Sequence, residues 1–220
     1  TSILNFPKMF MNTFVIAIFT CIISTIFVLS VAYSMSRMRF KMRKPFMNIA
    51  MIIGLFPSFM SMIAVYYILR ALNLADGAMI RVALIIVFSA GSGAGFYVAK
   101  GFFDTISKSL DEAAIIDGAT RWNVFTKITV PLSKPIIVYT ILTSFMGPWV
   151  DFIFGKVICR ADAQYYTVSI GLWKMLEKEY IDSWYTCFAA GAVVVSIPIA
   201  ILFLMTQKFY VEGMTGAVKG

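Results

Sequence analysis

The chain has 220 residues, 60% of them hydrophobic and 14% charged, with a net charge of +8. Soluble domains carry about 45–50% apolar and about 25% charged residues, so the composition excludes an ordinary water-soluble domain and points to an integral membrane protein. There is no histidine, and Cys21, Cys159 and Cys187 follow no zinc or disulfide spacing, which removes the commonest general base and the usual metal frameworks.

Five apolar runs are each long enough to cross a bilayer as a helix: residues 12–34, 46–69, 79–99, 136–158 and 184–206. Backbone groups in lipid must be satisfied within their own segment, and no alternating ten-residue strand pattern is present. The expected fold is therefore all-α and polytopic, with residues 1–220 forming one transmembrane domain.

Run one carries Asn12 and Thr13 at one end and Thr20, Ser24, Thr25 and Ser30 within it. Small hydroxyl residues allow close helix packing or line a path. It is followed by Arg37, Arg39, Lys41, Arg43 and Lys44 with no acid among them, a strong cytoplasmic signal. Alternation then places residues 100–135 and the C-terminal tail on the same side, which collects twelve of the nineteen Lys and Arg. Basic residues gathered at the ends of apolar runs answer to topology, so no nucleic-acid partner is expected. The chain starts at Thr1, with Lys8 the only charge before run one. No cleavage site follows that run, so it is not read as a signal peptide. The orientation puts the start outside, and an additional N-terminal helix is expected, making six spans in the full subunit.

Run two contains Pro57 with Ser58 and Ser61. A proline in mid-span kinks a helix, either for packing or to give room to a path. Run three contains Ser89-Ala90-Gly91-Ser92-Gly93-Ala94-Gly95. The glycine spacing fits neither a dinucleotide nor a nucleotriphosphate loop, which leaves a tight helix crossing or a locally flexible span. Run four contains Gly147-Pro148-Trp149-Val150-Asp151. A carboxylate at membrane depth suggests function, and Asp151 is either a structural cap or a pathway or gating group. The loop from Cys159 to Ser183 mixes charges with Tyr165, Tyr166 and Trp173 and reads as a short surface helix or a solvated loop.

Residues 100–135 are polar and helically patterned between apolar neighbours. Over 106–128, Leu110, Ala113, Ala114, Asp117 and Arg121 form one stripe, and Ile115, Ile116, Ala119, Trp122 and Phe125 another. Gly118 is expected to bend the segment into two short helices, and Pro131 and Pro135 to end the second. Asp104, Asp111, Glu112 and Asp117 would repel anionic lipid, so a protein partner is expected for this segment.

Glu112-Ala113-Ala114, Gly118, Ile128, Val130 and Pro131 resemble the EAA motif of permease subunits of ATP-binding-cassette importers. Val130 stands where the family usually has leucine. Residues 100–106 and 211–220 are similar to the carbohydrate branch, and the resemblance covers nearly the whole chain, closest to the smaller permease of maltose and multiple-sugar transporters. It implies the type I importer fold in a bacterial cell membrane, with the C-terminus cytoplasmic. It also implies a second homologous permease, two cytoplasmic ATPase subunits holding ATP and magnesium, and an extracytoplasmic sugar-binding protein. The chain itself would bind no cofactor or metal and would catalyse no reaction. Glu112, Ala113, Ala114, Asp117, Gly118, Ile128 and Pro131 would couple to the ATPase, and Lys219 and Gly220 would enter its dimer interface. Ser58, Ser92, Trp149 and Asp151 are pathway candidates. Trp149 is read either as an interface anchor or as a sugar-stacking ring, and a maltodextrin-like oligosaccharide is the expected cargo. The alternative is a channel or secondary transporter independent of ATP. It would want several ionisable groups along a path, and the runs supply mainly Asp151.

Overall fold

The computed structural model describes residues 4–91, 95–160, 162–179 and 181–217, without the side chains of 58, 59 and 210–217. Its described secondary structure is helical. The longest apolar stretch near the start folds into α1 (Phe6–Arg37), where the Asn5 side chain accepts from the Lys8 N–H and Pro7 occupies the first turn. Both features suit a helix start. After Arg37 the backbone becomes extended at Met38.

The fold is built around α1. Its first half packs Met9, Ile16 and Ala17 against Ile80, Ala83 and Leu84, Phe145 and Trp149, and Val168 and Ile170. Its second half packs Val28, Ala32, Tyr33 and Met35 against Phe96, Ala99, Phe103 and Ile136. One helix therefore joins two apolar cores, one near each of its ends.

Run two is divided. Helix α2 (Arg43–Gly54) ends before Leu55, and α3 (Ser58–Ala71) begins after Pro57. The expected kink within one helix is a break, because Pro57 is extended (φ −58°, ψ 125°) as the N-cap of α3. Run three forms α4 (Met79–Gly91) and α5 (Gly95–Thr105), inclined at 44°; Ser92 lies outside the described residues. Run four is also divided, into α9 (Lys134–Val150) and α10 (Ile153–Cys159). Run five lies within α12 (Ile181–Ala217), which packs on α9 and on α11 (Val168–Met175). Among the described residues two helices are long and apolar enough to cross a bilayer unbroken, Phe6–Arg37 and Ile181–Phe209, and up to four such spans arise if the bent pairs Met79–Gly91 with Gly95–Thr105 and Arg121–Leu132 with Lys134–Val150 each count as one.

The loop after Cys159 forms a short helix, α11, that is exposed on one side, at Trp173, and built into the protein on the other. Tyr166, Val168, Ile170 and Met175 are buried in the first core. The polar start of α1 holds this loop in place: Asn12 Nδ2 donates to the carbonyls of Gln164 and Tyr166, and the Val168 N–H donates to Thr13 Oγ1. These residues serve packing, the simpler of the two readings of that polar end.

Candidate functional site: a helical hairpin tied to α1

Residues 100–135 fold into two short helices at a bend. Ser107 caps α6 (Lys108–Ile116), and Thr120 caps α7 (Arg121–Val124) by accepting the Asn123 N–H at 3.2 Å. Between them the chain closes with Gly118 N–H on the Ile115 carbonyl (3.0 Å) and Ala119 N–H on the Ala114 carbonyl (2.9 Å). This is a Schellman ending, which requires a left-handed residue after the cap. Gly118 supplies it with φ +83° and open space around its Cα. The sequence spacing is thus read out as a hairpin with Glu112, Asp117 and Gly118 at its exposed end.

The second helix does not stop at Pro131. It continues through a π turn, Phe125–Thr129, and α8 (Val130–Leu132), then turns by 82° into α9 at Ser133. Proline lacks an N–H and its ring crowds the carbonyl four residues back. The wider π turn, in which the Val130 N–H reaches the Phe125 carbonyl, makes room just before it. Ile128 lies half-buried in that turn, and Pro131 is exposed.

Three residues at the end of α1, Arg37, Ser36 and Tyr33, fix the hairpin to it. Arg37 Nε pairs with Asp111 Oδ2 at 2.9 Å, their side chains 3% and 12% exposed. Arg37 Nη2 also donates to the Ile106 carbonyl at 2.8 Å. Ser36 Oγ donates to Asp104 Oδ1, whose other oxygen pairs with Lys100. Tyr33 donates its hydroxyl proton to the Arg121 carbonyl at 3.2 Å and sets its ring 4.8 Å from Phe125. Burial pushes the Asp104 carboxyl up, and the bonds from Lys100 and Ser36 together with the Arg43 charge outweigh it, holding the group below its ordinary value.

Of the stripe Ile115, Ile116, Ala119, Trp122 and Phe125, Phe125 packs on the second core and Ala119 is half-buried, while Ile115, Ile116 and Trp122 are exposed. Ile116 is 85% and Trp122 70% exposed, and Ile115 and Leu110 are exposed beside them. Ala113 is exposed too, and Ala114 half-buried. The hairpin therefore presents an apolar, acid-flanked end whose base is pinned. Tyr33, Ser36, Arg37, Asp104 and Asp111 were not singled out as site residues from sequence. The first of five basic residues after an apolar run carries no sign that it turns inward onto an acid 74 positions away.

Of the pathway candidates, Trp149 and Asp151, whose side chains are described, do not come together. A cavity of about 910 Å³ opens between α1, α3, α4, α9 and α10, with Thr20, Tyr139, Thr143, Ser144 and Asp151 on its wall. Pro148 lacks the N–H that would bond the Ser144 carbonyl, and both residues line the same cavity. Asp151 ends α9, and its Oδ1 accepts the Gly155 N–H at 3.0 Å, a cap for α10. Trp149 is neither an interface anchor nor on the cavity wall. It is 3% exposed among Phe10, Phe14 and Phe145, since the helix turns its ring to the opposite side from Asp151. Ser58 begins α3, and its side chain is outside the described set; Lys219 and Gly220 lie outside the described residues. Among the described residues no group of three or more Cys, Asp or Glu is placed to hold a metal ion.

Comparison with known proteins gives a consistent match. Residues 26–214 match the family described as binding-protein-dependent transport system inner membrane component. The galactooligosaccharides transport system permease protein GanQ of Bacillus subtilis (strain 168) is 35% identical over 219 residues, covering 99% of this chain and 76% of the relative. The maltodextrin transport system permease protein MalD of Streptococcus pneumoniae is 32% identical over 212 residues, covering 96% and 74%. The maltose/maltodextrin transport system permease protein MalG of Escherichia coli (strain K12) is 33% identical over 193 residues, covering 86% and 64%.

Proposed function

The chain belongs to the family of binding-protein-dependent transport system inner membrane components, and on that premise we propose that it is a permease subunit of an ATP-driven carbohydrate importer. It forms half of a translocation pathway with a second, related permease. It takes sugar from an extracytoplasmic binding protein and is driven by two cytoplasmic ATPase subunits that hold ATP and magnesium. Maltodextrin-like or other oligosaccharides are the cargo, as the names of its relatives suggest. The five apolar runs cross the membrane, and the 100–135 hairpin and the C-terminus face the cytoplasm.

The observation that carries this reading is the hairpin. An end with Ile116 85% and Trp122 70% exposed is costly to leave in water, and Glu112 and Asp117 beside it suit a basic protein cleft better than anionic lipid. Its base is pinned to α1, the helix around which both cores are built. A partner that moves the hairpin therefore moves α1, and with it the helices packed on α1. Hydrolysis belongs to the partner; this chain receives and transmits the movement. Glu112→Lys and Gly118→Asp are expected to abolish most sugar uptake and sugar-stimulated ATP hydrolysis in reconstituted vesicles while leaving membrane insertion intact. Wild-type uptake by both variants would sink the coupling role.

A further inference from the structure

We propose that the pocket between the end of α1 and the base of the hairpin binds the phosphate of an anionic phospholipid from the cytoplasmic leaflet; this rests on the orientation given above. The pocket is about 500 Å³. Five cations line it, Arg37, Arg39, Arg43, Lys108 and Arg121, against two carboxylates, Asp111 and Glu112. Asp111 is already paired with Arg37 at 2.9 Å. Outside the pocket, Asp104 is already held by Lys100 and Ser36. Of the four acids that oppose lipid in the sequence, Asp104 and Asp111 are thus neutralised from within, while Glu112 and Asp117 are not. Arg39, Arg43, Lys108 and Arg121 have no ion pair among the described residues, and of the two carboxylates on the pocket wall Glu112 is the unpaired one.

A second observation points to a ligand. Arg37 is buried to 3% side-chain exposure, yet its Nη1 finds no hydrogen-bond partner among the described residues. The Asp111 Oδ1 of the same pair is likewise unpartnered; Arg37 lines the pocket, its guanidinium holds an N–H without the acceptor it needs, and phosphate oxygens match the guanidinium fork. The surroundings choose lipid over a soluble anion or an acidic side chain. Met38 forms part of the wall, and Phe40, Met42 and Phe46 are exposed. They are interleaved with Arg39, Lys41, Arg43 and Lys44, and α2, which follows, has no buried residue. Alternating cations and large apolar side chains at a helix end place charges at headgroups and apolar groups among acyl chains. Neither a soluble phosphate nor a protein carboxylate has a use for that apolar fringe.

The test uses the assembled transporter in detergent, titrated with dioctanoyl-phosphatidylglycerol, dioctanoyl-phosphatidylcholine or inorganic phosphate, with bound lipid counted by native mass spectrometry. Saturable phosphatidylglycerol binding is expected, at least about tenfold tighter than phosphatidylcholine. Arg43→Gln and Arg121→Gln should each weaken it about fivefold, the equivalent of one basic group near a lipid surface. Arg70→Gln, on an exposed residue remote in sequence from the pocket, should leave it unchanged. Thermal midpoints of the variants check that they are folded. Equal retention of the two lipids overturns the proposal, as does phosphatidylglycerol binding indifferent to Arg43 and Arg121. Full displacement by inorganic phosphate would assign the pocket to a free anion, and its filling by ATPase side chains would show as no lipid retained; either result also overturns it. Transport is not read, so failure of the importer reading would appear in uptake alone.

Discussion

Arg37 stands in the last turn of α1, where a cation suits the free carbonyl ends, yet its side chain turns inward onto Asp111. Breaking a buried pair by removing one partner leaves an uncompensated charge, at a cost of about 3–5 kcal/mol. Arg37→Met is therefore expected to lower stability by about that amount in chemical denaturation of the detergent-solubilised subunit. The double variant Arg37→Met, Asp111→Leu should recover most of it, because no charge is then stranded. At Gly118 the constraint is backbone conformation rather than space. Gly118→Val should strain the turn by more than about 1 kcal/mol, and Gly118→Asn by less, since asparagine tolerates a positive φ. Uptake should follow the same order. For Asp104 the folded pKa is depressed, so its contribution is fully present above the unfolded carboxylate value of about 3.9 and is lost as pH falls through the lower folded value. Ser36→Ala, which removes one of its partners, should flatten that acid-side loss when thermal midpoints are followed from neutral to low pH.

Among the elements, the hairpin and α11 behave in opposite ways. Ile116 is 85% exposed, so Ile116→Asp should change stability by no more than about 0.5 kcal/mol. Trp122 is 70% exposed but sets its ring 5.7 Å from Phe125, so Trp122→Ala should cost about 0.5–1.5 kcal/mol, and both should act chiefly on partner binding. Helix α11 is seated against α1 through Gly171, where an added Cβ would lie 2.3 Å from Met9 Sδ. Met9 is itself buried, so it has little room to yield. Gly171→Val should destabilise by about 1–3 kcal/mol through overpacking, measurable as a lower thermal midpoint. Elements of this kind also mark what could be read from sequence. The hairpin was legible because its signals are local: two helical stripes with one glycine between them. The single-helix reading of run four failed because apolarity does not report helix continuity; Asp151 ends one helix and caps the next, an outcome set by contacts with Gly155 and Ser169. The Arg37–Asp111 pair and the burial of Trp149 were not legible, since both depend on how distant segments face one another.

At the scale of the molecule, α1 links two cores and carries the hairpin at one end; under the proposed coupling, a push on the hairpin would move α1 and the helices packed on it. The apolar hairpin end is the point at which that push would be received. The most direct test is to purify the transporter with Ile116→Asp, Trp122→Ala in this subunit and measure, in the same preparation, the ATPase subunit that co-purifies and the sugar-stimulated ATP hydrolysis. The expected result is a correctly inserted, folded permease that has lost most of its bound ATPase and nearly all of the stimulation. Wild-type ATPase binding and full stimulation in the double variant would contradict the account.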